Sequence, residues 1–262
     1  MIKCVIFDID NTLYSYTKAN EAAMEALYAY VKKNLGINRE RYDRLTLEVR
    51  NQIEARLNNA AIHNRFIRFQ NILETAEDLP ASQKNCYAAY PHAMNMYHCY
   101  WDTFLGNMEC APYCRELLGE LRKRNIRIGI GTDMTALIQY RKLETLKILP
   151  LIDFMVTSEE AGAEKPDPEF FRLCIHKAGC RPHECLFIGD HPEKDVKGAW
   201  KAGMNVLRYD SAQAVPLKKT EGVSLETSEG ILFETSEGIF PENRISDYKE
   251  LLYRLDDYLA DR

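Results

Sequence analysis

The spacing of hydrophobic positions divides the chain into a part where strands and helices alternate and a part that is helical throughout. Short apolar runs predict strands at 3–7, 126–130, 154–156, 186–188 and 205–208. Apolar residues at helical spacing predict helices between them at 112–124, 135–146, 168–178 and 194–202. Strands that alternate with helices in this way predict an α/β fold, a doubly wound parallel sheet with helices on both faces.

The stretch between the first two predicted strands indicates a separate α-helical domain. Its first three helices are marked by Met24, Leu27, Tyr28, Val31 and Leu35, by Leu45, Val49, Ile53 and Leu57, and by Phe66, Phe69, Leu73 and Leu79. Gly36 can end the first helix, and Pro80 suits the first turn of a fourth. The pattern predicts a helical cap domain at 17–106, inserted into a core domain formed by 1–16 and 107–262.

Two features of this helical domain have both a structural and a functional interpretation. Arg65 and Arg68 lie three positions apart and could meet an anionic substrate, but a solvated helix face is favoured. Aromatic residues crowd the end of the domain, at Tyr87, Tyr90, Tyr97, Tyr100, Trp101 and Phe104. Their helical spacing favours packing in a core over stacking on a substrate.

An eight-residue repeat interrupts the chain near its C-terminus, with VSLETSEG at 223–230 followed by ILFETSEG at 231–238. Its apolar pieces, separated by Thr-Ser-Glu-Gly, favour small hairpins, and a flexible excursion at 213–240 is an equal alternative. Two full copies are too few for a solenoid. After the repeat, Ser246 is expected to cap a final helix with an apolar face of Leu251, Leu252, Leu255 and Leu259.

Composition and charge exclude several classes of protein. The chain has 39 acidic and 34 basic residues and a net charge of −5, which argues against a nucleic-acid partner because such proteins present clustered basic residues. No apolar run reaches the length of about 18 residues that a membrane span needs, and the apolar N-terminus is too short for a signal peptide. The eight cysteines lack a CxxC pair and are expected to be reduced. We expect a cytoplasmic protein with no nucleic-acid or membrane partner, either a monomer or a homodimer.

Four polar motifs lie near the ends of predicted strands: DIDNT at 8–12, GTD at 131–133, EKPDP at 164–168 and GDHPEKD at 189–195. Parallel strands end at a common edge of the sheet, where open α/β sheets bind ligands. Asp8 and Asp10 can therefore approach one site, to which Asp190 adds a third carboxylate. Carboxylates are ligands that Mg²⁺ prefers. A carboxylate is also a feasible nucleophile toward phosphorus once a cation offsets its repulsion of an anionic phosphate.

In order and spacing, these motifs resemble those of the haloacid dehalogenase superfamily, in particular phosphatase-type members with a helical cap inserted after the first strand. The resemblance covers nearly the whole chain except about 211–242 and implies a Rossmann-like core. It implies that Asp8 is the nucleophile, that Asp10 is the general acid and base, and that both bind Mg²⁺ with Asp190. Asp10 would bind through its backbone carbonyl, which leaves its side chain free to exchange protons.

The resemblance also indicates residues that bind phosphate. Thr132 matches the Ser or Thr whose hydroxyl, with the next backbone N–H, binds a phosphate oxygen; it could also cap the following helix. Pro166 holds Lys165 extended, and the Lys165 ammonium can neutralise the nucleophile and the phosphoryl oxygens. Asp133 belongs to the same phosphate-binding motif, although many relatives carry Asn there.

Two further residues of the last motif are expected at the margin of the site. Asp195 is interpreted either as a support of the Mg²⁺ site, acting through water or through another ligand, or as the cap of the helix that begins there. Lys194 stands where relatives often carry Asn, and it is interpreted as peripheral to the chemistry.

These expectations describe a Mg²⁺-dependent phosphohydrolase that removes phosphate from a small phosphorylated metabolite through an aspartyl-phosphate on Asp8. A phosphomutase of the same superfamily shares every motif and is one alternative. A non-catalytic binding protein that uses the repeat at 223–240 is another. Asp10 argues against dehalogenation, which needs no such acid and base, and no lysine of the helical domain is marked for the Schiff base of a phosphonatase.

Overall fold

The computed structural model describes residues 1–57, 62–77, 79–210, 223–227, 230–235, 238–241 and 244–259. The chain divides into two compact units, one formed by Met1–Thr17 with Glu109–Arg262 and the other by Lys18–Met108. Across the described ranges, no helix is both long enough and apolar enough to pass through a lipid bilayer.

The unit Lys18–Met108 is helical, as its apolar spacing predicts. The helices are α1 (Tyr16–Leu35), α2 (Arg39–Arg56), α3 (Arg65–Thr75), α4 (Ala81–Lys84) and α5 (Cys86–Gly106). The buried residues of α1 follow one another four positions apart: Ala19, Ala23, Leu27 and Val31. The side chain of Asn38 begins α2 by accepting a hydrogen bond from the backbone N–H of Arg41. Apolar periodicity and capping chemistry therefore explain where these helices lie.

The aromatic residues of α5 pack in a core only in part. Tyr100, Trp101 and Phe104 are buried, and the ring centroids of Tyr100 and Trp101 lie 5.0 Å apart in an edge-to-face arrangement. Tyr87, at the beginning of α5, is instead 92% exposed. The guanidinium of Arg65 on α3 lies 4.1 Å from the centre of the Tyr100 ring. This half-buried arginine therefore packs against the aromatic residues, where the sequence favours a solvated face.

The other unit is built on a parallel sheet. Its strands are β1 (Cys4–Phe7), β2 (Arg127–Thr132), β3 (Phe154–Thr157), β4 (Cys185–Gly189), β5 (Asn205–Tyr209), β6 (Val223–Thr227), β7 (Gly230–Thr235), β8 (Gly238–Pro241) and β9 (Arg244–Ile245). The main sheet has the order β3-β2-β1-β4-β5-β9, and each neighbouring pair is parallel. Later strands add on both sides of β1, so the sheet is doubly wound and the predicted fold class is confirmed.

The register of the central strands aligns their carboxyl ends. Phe7 on β1 lies beside Ile130 on β2 and Ile188 on β4. The residues that follow these positions therefore emerge together at one edge of the sheet. The helices of this unit are α6 (Cys114–Lys123), α7 (Ala136–Thr145), α8 (Ser158–Ala161), α9 (Pro168–Ala178), α10 (Gly198–Lys201), α11 (Tyr248–Tyr253) and α12 (Leu255–Leu259).

Helix α9 shows how local sequence fixes an element that covers the sheet. Asp167 caps its start by accepting the backbone N–H of Glu169, and Gly179 ends it in a left-handed conformation with a φ of 66°. Between these ends, α9 buries Phe170 and Phe171, and the Phe171 ring centroid lies 5.5 Å from that of Phe187 on β4. The motif that contains Lys165 is thereby anchored to the core immediately after its last proline.

The repeat forms a second, antiparallel sheet in the order β6-β7-β8. Thr227 pairs with Gly230, and Thr235 pairs with Gly238, so each Thr-Ser-Glu-Gly stretch joins two paired strands. This backbone pairing agrees with the hairpin alternative. The first part of the excursion expected at 213–240, up to residue 222, lies outside the described residues.

The C-terminal helix differs from the prediction in its cap and its continuity. The side chain of Asp247, and not Ser246, accepts the backbone N–H of Glu250 at 2.9 Å and begins α11. Two short helices, α11 and α12, replace the single helix expected there. Leu251, Leu255 and Leu259 are nevertheless buried, as their spacing predicts.

Candidate active site

Three carboxylates meet where β1 and β4 end. Asp8 follows β1 and Asp190 follows β4, so the parallel pairing of these strands brings both residues to the same edge of the sheet. Asp195 joins them from the turn beyond Asp190, and one carboxylate oxygen of each residue lies within 4.8 Å of the others. Asp8 and Asp195 are buried, and Asp190 is half-buried. We call Asp8, Asp190 and Asp195 the acidic cluster.

Asp195 reaches the acidic cluster through a widened helical turn. Pro192–Lys197 is a π-helix ahead of α10, where the sequence predicts an ordinary helix at 194–202. His191 caps this turn, because its Nδ1 accepts two backbone N–H groups of the turn at 3.2 Å. Asp195 instead accepts the backbone N–H of His191 at 3.0 Å. Of the two interpretations of Asp195, the helix cap is therefore wrong.

The last residue of β4 is a glycine for a steric reason. Gly189 lies against Asp195, and a Cβ atom at position 189 would collide with the Asp195 carboxylate. Gly189 therefore makes room for the Asp195 carboxylate, and the next residue, Asp190, contributes a carboxylate of its own.

Lys165 binds the acidic cluster with a buried ammonium group. Its Nζ lies 2.8 Å from Oδ1 of Asp8, 2.6 Å from Oδ1 of Asp195 and 3.4 Å from the backbone oxygen of Gly131. Burial alone would lower the pKa of Lys165, but the Asp195 and Asp8 carboxylates outweigh that effect and raise it well above its ordinary value. Lys165 is therefore a fixed positive charge beside Asp8.

The acidic cluster carries more negative charge than Lys165 offsets. Burial raises the pKa of Asp8 to about 7; Lys165 opposes the shift, and Asp195 adds to it. Burial likewise raises the pKa of Asp190 to about 8, with further contributions from Asp195 and Asp8. Three carboxylates around the Lys165 ammonium fit a divalent cation, because they are the oxygen ligands that Mg²⁺ prefers and the ion would complete the charge balance.

Thr132 ends β2 with a hydroxyl that is held in place. Its Oγ1 accepts a hydrogen bond from Nε2 of Gln139 at 2.8 Å and donates to the backbone oxygen of Asp133 at 3.3 Å. Gln139, on α7, is fully buried and also donates to that backbone oxygen at 2.8 Å. Thr135 stands at the start of α7, so Thr132 does not serve as its cap.

Asp133 and Lys194 form an ion pair that the sequence does not suggest. Oδ2 of Asp133 lies 2.9 Å from Nζ of Lys194, and Oδ1 accepts the backbone N–H of Lys165 at 3.1 Å. Burial acts to raise the pKa of Asp133, but the charges of Lys165 and Lys194 prevail and lower it. Lys194, which the sequence analysis interprets as peripheral, thus binds a carboxylate that also contacts the Lys165 backbone.

The side chain of Asp10 lies in a different environment from the acidic cluster. Nζ of Lys142, on α7, contacts both of its carboxylate oxygens, at 2.6 Å and 2.9 Å, and the Tyr14 hydroxyl donates to one of them. Lys142 is fully buried, whereas the Asp10 side chain keeps 28% of its surface exposed. The Asp10 side chain is therefore paired with Lys142 rather than with Lys165, although its charge still acts on Asp8.

The structure brings Asp8, Lys165, Asp190 and Asp195 into direct contact or close proximity and places Asp133 against the Lys165 backbone. Sequence reasoning misses two residues of α7, Gln139 and Lys142. The available signal is their register, because both lie on the face of α7 that buries Ile138 and Leu143. A lysine and a glutamine at such positions need polar partners, which the site supplies.

Comparisons with known proteins agree with this geometry. A model of the haloacid dehalogenase-like hydrolases matches residues 2–203. A ribulose-1,5-bisphosphate 5-phosphatase from Halopiger xanaduensis is 30% identical, over 81% of this chain and 87% of its own. A glyceraldehyde 3-phosphate phosphatase from Methanopyrus kandleri is 32% identical, over 79% and 84%. The fold is similar to that of a HAD phosphatase from Thermococcus onnurineus, with a TM-score of 0.65, 22% identity and coverage of 99% and 98% of the two chains.

Proposed function

This chain belongs to the haloacid dehalogenase-like hydrolases and is a phosphatase of small phosphorylated metabolites, and from that premise we propose that the phosphoryl group is carried on Asp8. The observation that carries this proposal is the position of Asp8, 2.8 Å from the Lys165 ammonium and beside Asp190 and Asp195. A carboxylate in such surroundings is suited to attack an anionic substrate, because positive charge offsets the repulsion between the two.

We assign the Mg²⁺ site to the side chains of Asp8 and Asp190 and the backbone carbonyl of Asp10. When bound, Mg²⁺ supplies positive charge that reduces the repulsion between the Asp8 carboxylate and the phosphoryl oxygens. Asp195 contacts Lys165 and the backbone N–H of His191, and we assign to it the role of holding both in place beside the Mg²⁺ site.

In the first step, an Asp8 carboxylate oxygen attacks phosphorus. The new oxygen–phosphorus bond forms as the bond to the leaving oxygen breaks, and Asp10 gives its proton to that oxygen. The Lys165 ammonium stabilises the charge on the phosphoryl oxygens, which also accept hydrogen bonds from the Thr132 hydroxyl and the backbone N–H of Asp133. The alcohol leaves, and the phosphoryl group remains on Asp8.

In the second step, water hydrolyses the aspartyl-phosphate. Asp10, now a carboxylate, takes a proton from the water as its oxygen attacks phosphorus, and the bond between phosphorus and Asp8 breaks. Inorganic phosphate leaves, Asp8 is again a carboxylate and Asp10 is again protonated. The two steps together consume one water molecule and change no residue permanently.

We propose that residues 17–106 form a cap domain that selects the substrate and that 1–16 and 107–262 form the catalytic domain. The division into compact units at Thr17–Lys18 and at Met108–Glu109 supports boundaries close to these. The two relatives described above are named for a sugar bisphosphate and a triose phosphate. Phosphorylated sugars and trioses are therefore the substrates that we expect this enzyme to accept.

The proposal is tested by phosphate release from the purified full chain with Mg²⁺, on p-nitrophenyl phosphate and a panel of sugar and triose phosphates. We expect release from p-nitrophenyl phosphate and from at least one metabolite. Asp8→Asn removes the nucleophile and is expected to lower release more than about 10³-fold. Asp257→Asn alters an exposed carboxylate on α12 and is the matched control, with unchanged release.

Three results would contradict the proposal. Release that survives Asp8→Asn excludes Asp8 as the nucleophile. Transfer of the phosphoryl group between two positions of one sugar, followed by phosphorus NMR, indicates a phosphomutase. Binding of phosphorylated compounds without any turnover indicates a binding protein.

A further inference from the structure

Two side chains hold the carboxyl group of Asp10. Lys142 Nζ lies 2.6 Å from Oδ1 and 2.9 Å from Oδ2, and the Tyr14 hydroxyl donates to Oδ1. Oδ1 thus accepts from two donors, whereas Oδ2 accepts from Lys142. With two contacts to Lys142 and one to Tyr14, the carboxyl group is fixed both in position and in rotation about its bond to Cβ.

The ammonium of Lys142 is itself fixed by its surroundings. Lys142 is fully buried, and its Nζ lies 3.7 Å from the sulfur of Met134 and 5.7 Å and 5.8 Å from the ring centres of Tyr14 and Tyr16. A buried ammonium requires a partner of opposite charge, and two aromatic faces nearby add to its stabilisation. Lys142 is therefore a rigid support for Asp10 and not a mobile surface charge.

The same helix supports a second part of the site. Gln139 and Lys142 lie three positions apart on the buried face of α7, where Gln139 binds the Thr132 hydroxyl at 2.8 Å. One face of α7 thus contacts both Thr132, which is expected to bind phosphate, and Asp10, which is expected to exchange protons. A single helix therefore positions both the Thr132 hydroxyl and the Asp10 carboxyl group.

Resting on the proposed function, we propose that Lys142 and Tyr14 are positioning residues for the leaving-group step, which hold the Asp10 carboxyl group so that Oδ2 meets the leaving oxygen. Neither residue touches the reacting atoms, and both act through Asp10. Proper orientation of an acid matters most when the leaving group is a poor one, because a strongly basic alkoxide must gain a proton as it departs. A good leaving group such as p-nitrophenolate departs readily without that proton.

The test is the dependence of kcat/KM on the leaving group. The parameter kcat/KM covers the steps up to and including phosphoryl transfer to Asp8, and so it reports on leaving-group departure. We measure it for the full chain with Mg²⁺ on substituted phenyl phosphates and on glycerol 2-phosphate. Lys142→Met keeps the length of the side chain and removes its charge. It is expected to lower kcat/KM about 10²-fold for glycerol 2-phosphate and less than about fivefold for p-nitrophenyl phosphate.

Two further variants distinguish positioning from a general loss of structure. In an Asp10→Asn background, Lys142→Met should have no additional effect that depends on the leaving group, because Lys142 acts through Asp10. Lys177→Met is the matched control. Lys177 binds the backbone oxygen of Met155 at 2.9 Å and the Glu160 carboxylate at 2.5 Å, outside the acidic cluster, and its loss should leave the leaving-group dependence unchanged.

The proposal is overturned if Lys142→Met lowers kcat/KM equally for all leaving groups, leaves every value unchanged, or adds its full effect to Asp10→Asn. If Lys142→Met does not fold, Tyr14→Phe removes one hydroxyl and carries the same test, with a smaller loss that must again increase with leaving-group basicity. A wild-type chain that releases no phosphate from any substrate contradicts the proposed function instead, so the two failures are distinguishable.

Discussion

The Nζ atom of Lys194 lies 2.9 Å from Oδ2 of Asp133, and this ion pair joins the GTD motif at 131–133 to the GDHPEKD motif at 189–195. Asp133 also accepts the backbone N–H of Lys165 through Oδ1, at 3.1 Å. The pair therefore braces the backbone that carries the Lys165 ammonium to Asp8.

We expect strong coupling between Lys194→Asn and Asp133→Asn. Lys194→Asn leaves the Asp133 carboxylate without this partner beside the Lys165 backbone, and Asp133→Asn leaves Lys194 without this partner, so each is expected to lower kcat/KM about tenfold. The double variant restores neutrality and should recover most of the loss, with a coupling energy of about 2 kcal/mol. The measurement is kcat/KM for p-nitrophenyl phosphate in all four proteins, and strictly additive losses would exclude the bracing role.

Gln139→Met is expected to weaken phosphate binding without altering the leaving-group dependence. The variant removes the donor to the Thr132 hydroxyl and keeps a buried side chain of similar size. One hydrogen bond contributes about 0.5–1.5 kcal/mol, so kcat/KM should fall up to about tenfold and by the same factor on every substrate. A loss that increases with leaving-group basicity would place Gln139 with Lys142 and contradict the separate role given to it.

Removal of the divalent cation is expected to lower stability as well as activity. The acidic cluster has an excess of negative charge around Lys165, and a cation that binds only the folded chain stabilises it. Mg²⁺ at about 100 times its dissociation constant adds about 2.7 kcal/mol to the free energy of unfolding. The check is the melting temperature with EDTA and with Mg²⁺. Asp190→Asn should reduce the shift, and an equal shift in that variant would place the ion elsewhere.

Glu184 is expected to contribute stability that is lost in acid. The Arg181 side chain, followed by Lys3 and the Arg181 backbone N–H, holds the pKa of Glu184 well below its usual 4.5. Since the folded chain depresses this pKa, the contribution is complete above pH 4.5 and declines as the pH falls toward the folded value. Urea midpoints at pH 7 and at pH 3.5 should therefore differ less for Glu184→Gln than for the wild type.

The control for Glu184 is a glutamate with the same kind of partner on the surface. Glu40 lies 3.6 Å from Arg44, four positions along α2, with 82% of its side chain exposed. Exposed pairs of this kind contribute little, so Glu40→Gln should retain the pH response of the wild type. If the urea midpoints of Glu184→Gln and Glu40→Gln change equally with pH, the ion pairs of buried Glu184 contribute no more pH-dependent stability than an exposed pair.

The sequence predicts the part of the site that depends on strand ends. Asp8 and Asp190 follow apolar runs that form neighbouring parallel strands, and this topology alone brings them together. The part that depends on helix register is harder to predict. Lys142 meets Asp10 across 132 positions of sequence, and a lysine in an amphipathic helix is ordinarily assigned to the solvated face.

The conformation of the turn that carries Asp195 is also not predicted by the sequence pattern. Apolar spacing over 194–202 indicates helix, but it does not distinguish an α-turn from the wider π-turn of Pro192–Lys197. Within this turn Asp195 lies against Gly189, a contact that the apolar spacing does not predict. Arg65 is a similar case, because its contact with Tyr100 joins two helices whose relative rotation the spacing does not determine.

Along the chain, the three strands of the repeat come between β5 and β9, and these two strands are neighbours in the main sheet. Arg208 on β5 pairs with Arg244 on β9, and Tyr209 pairs with Ile245, in parallel. Parallel neighbours cannot be joined by a tight turn, because the chain must travel back along the whole strand before it enters the sheet again. The repeat thus belongs to the connection that has to make this return. This connection can differ in length and sequence, but without one long enough to return, β9 could not pair in parallel with β5 at the edge of the sheet.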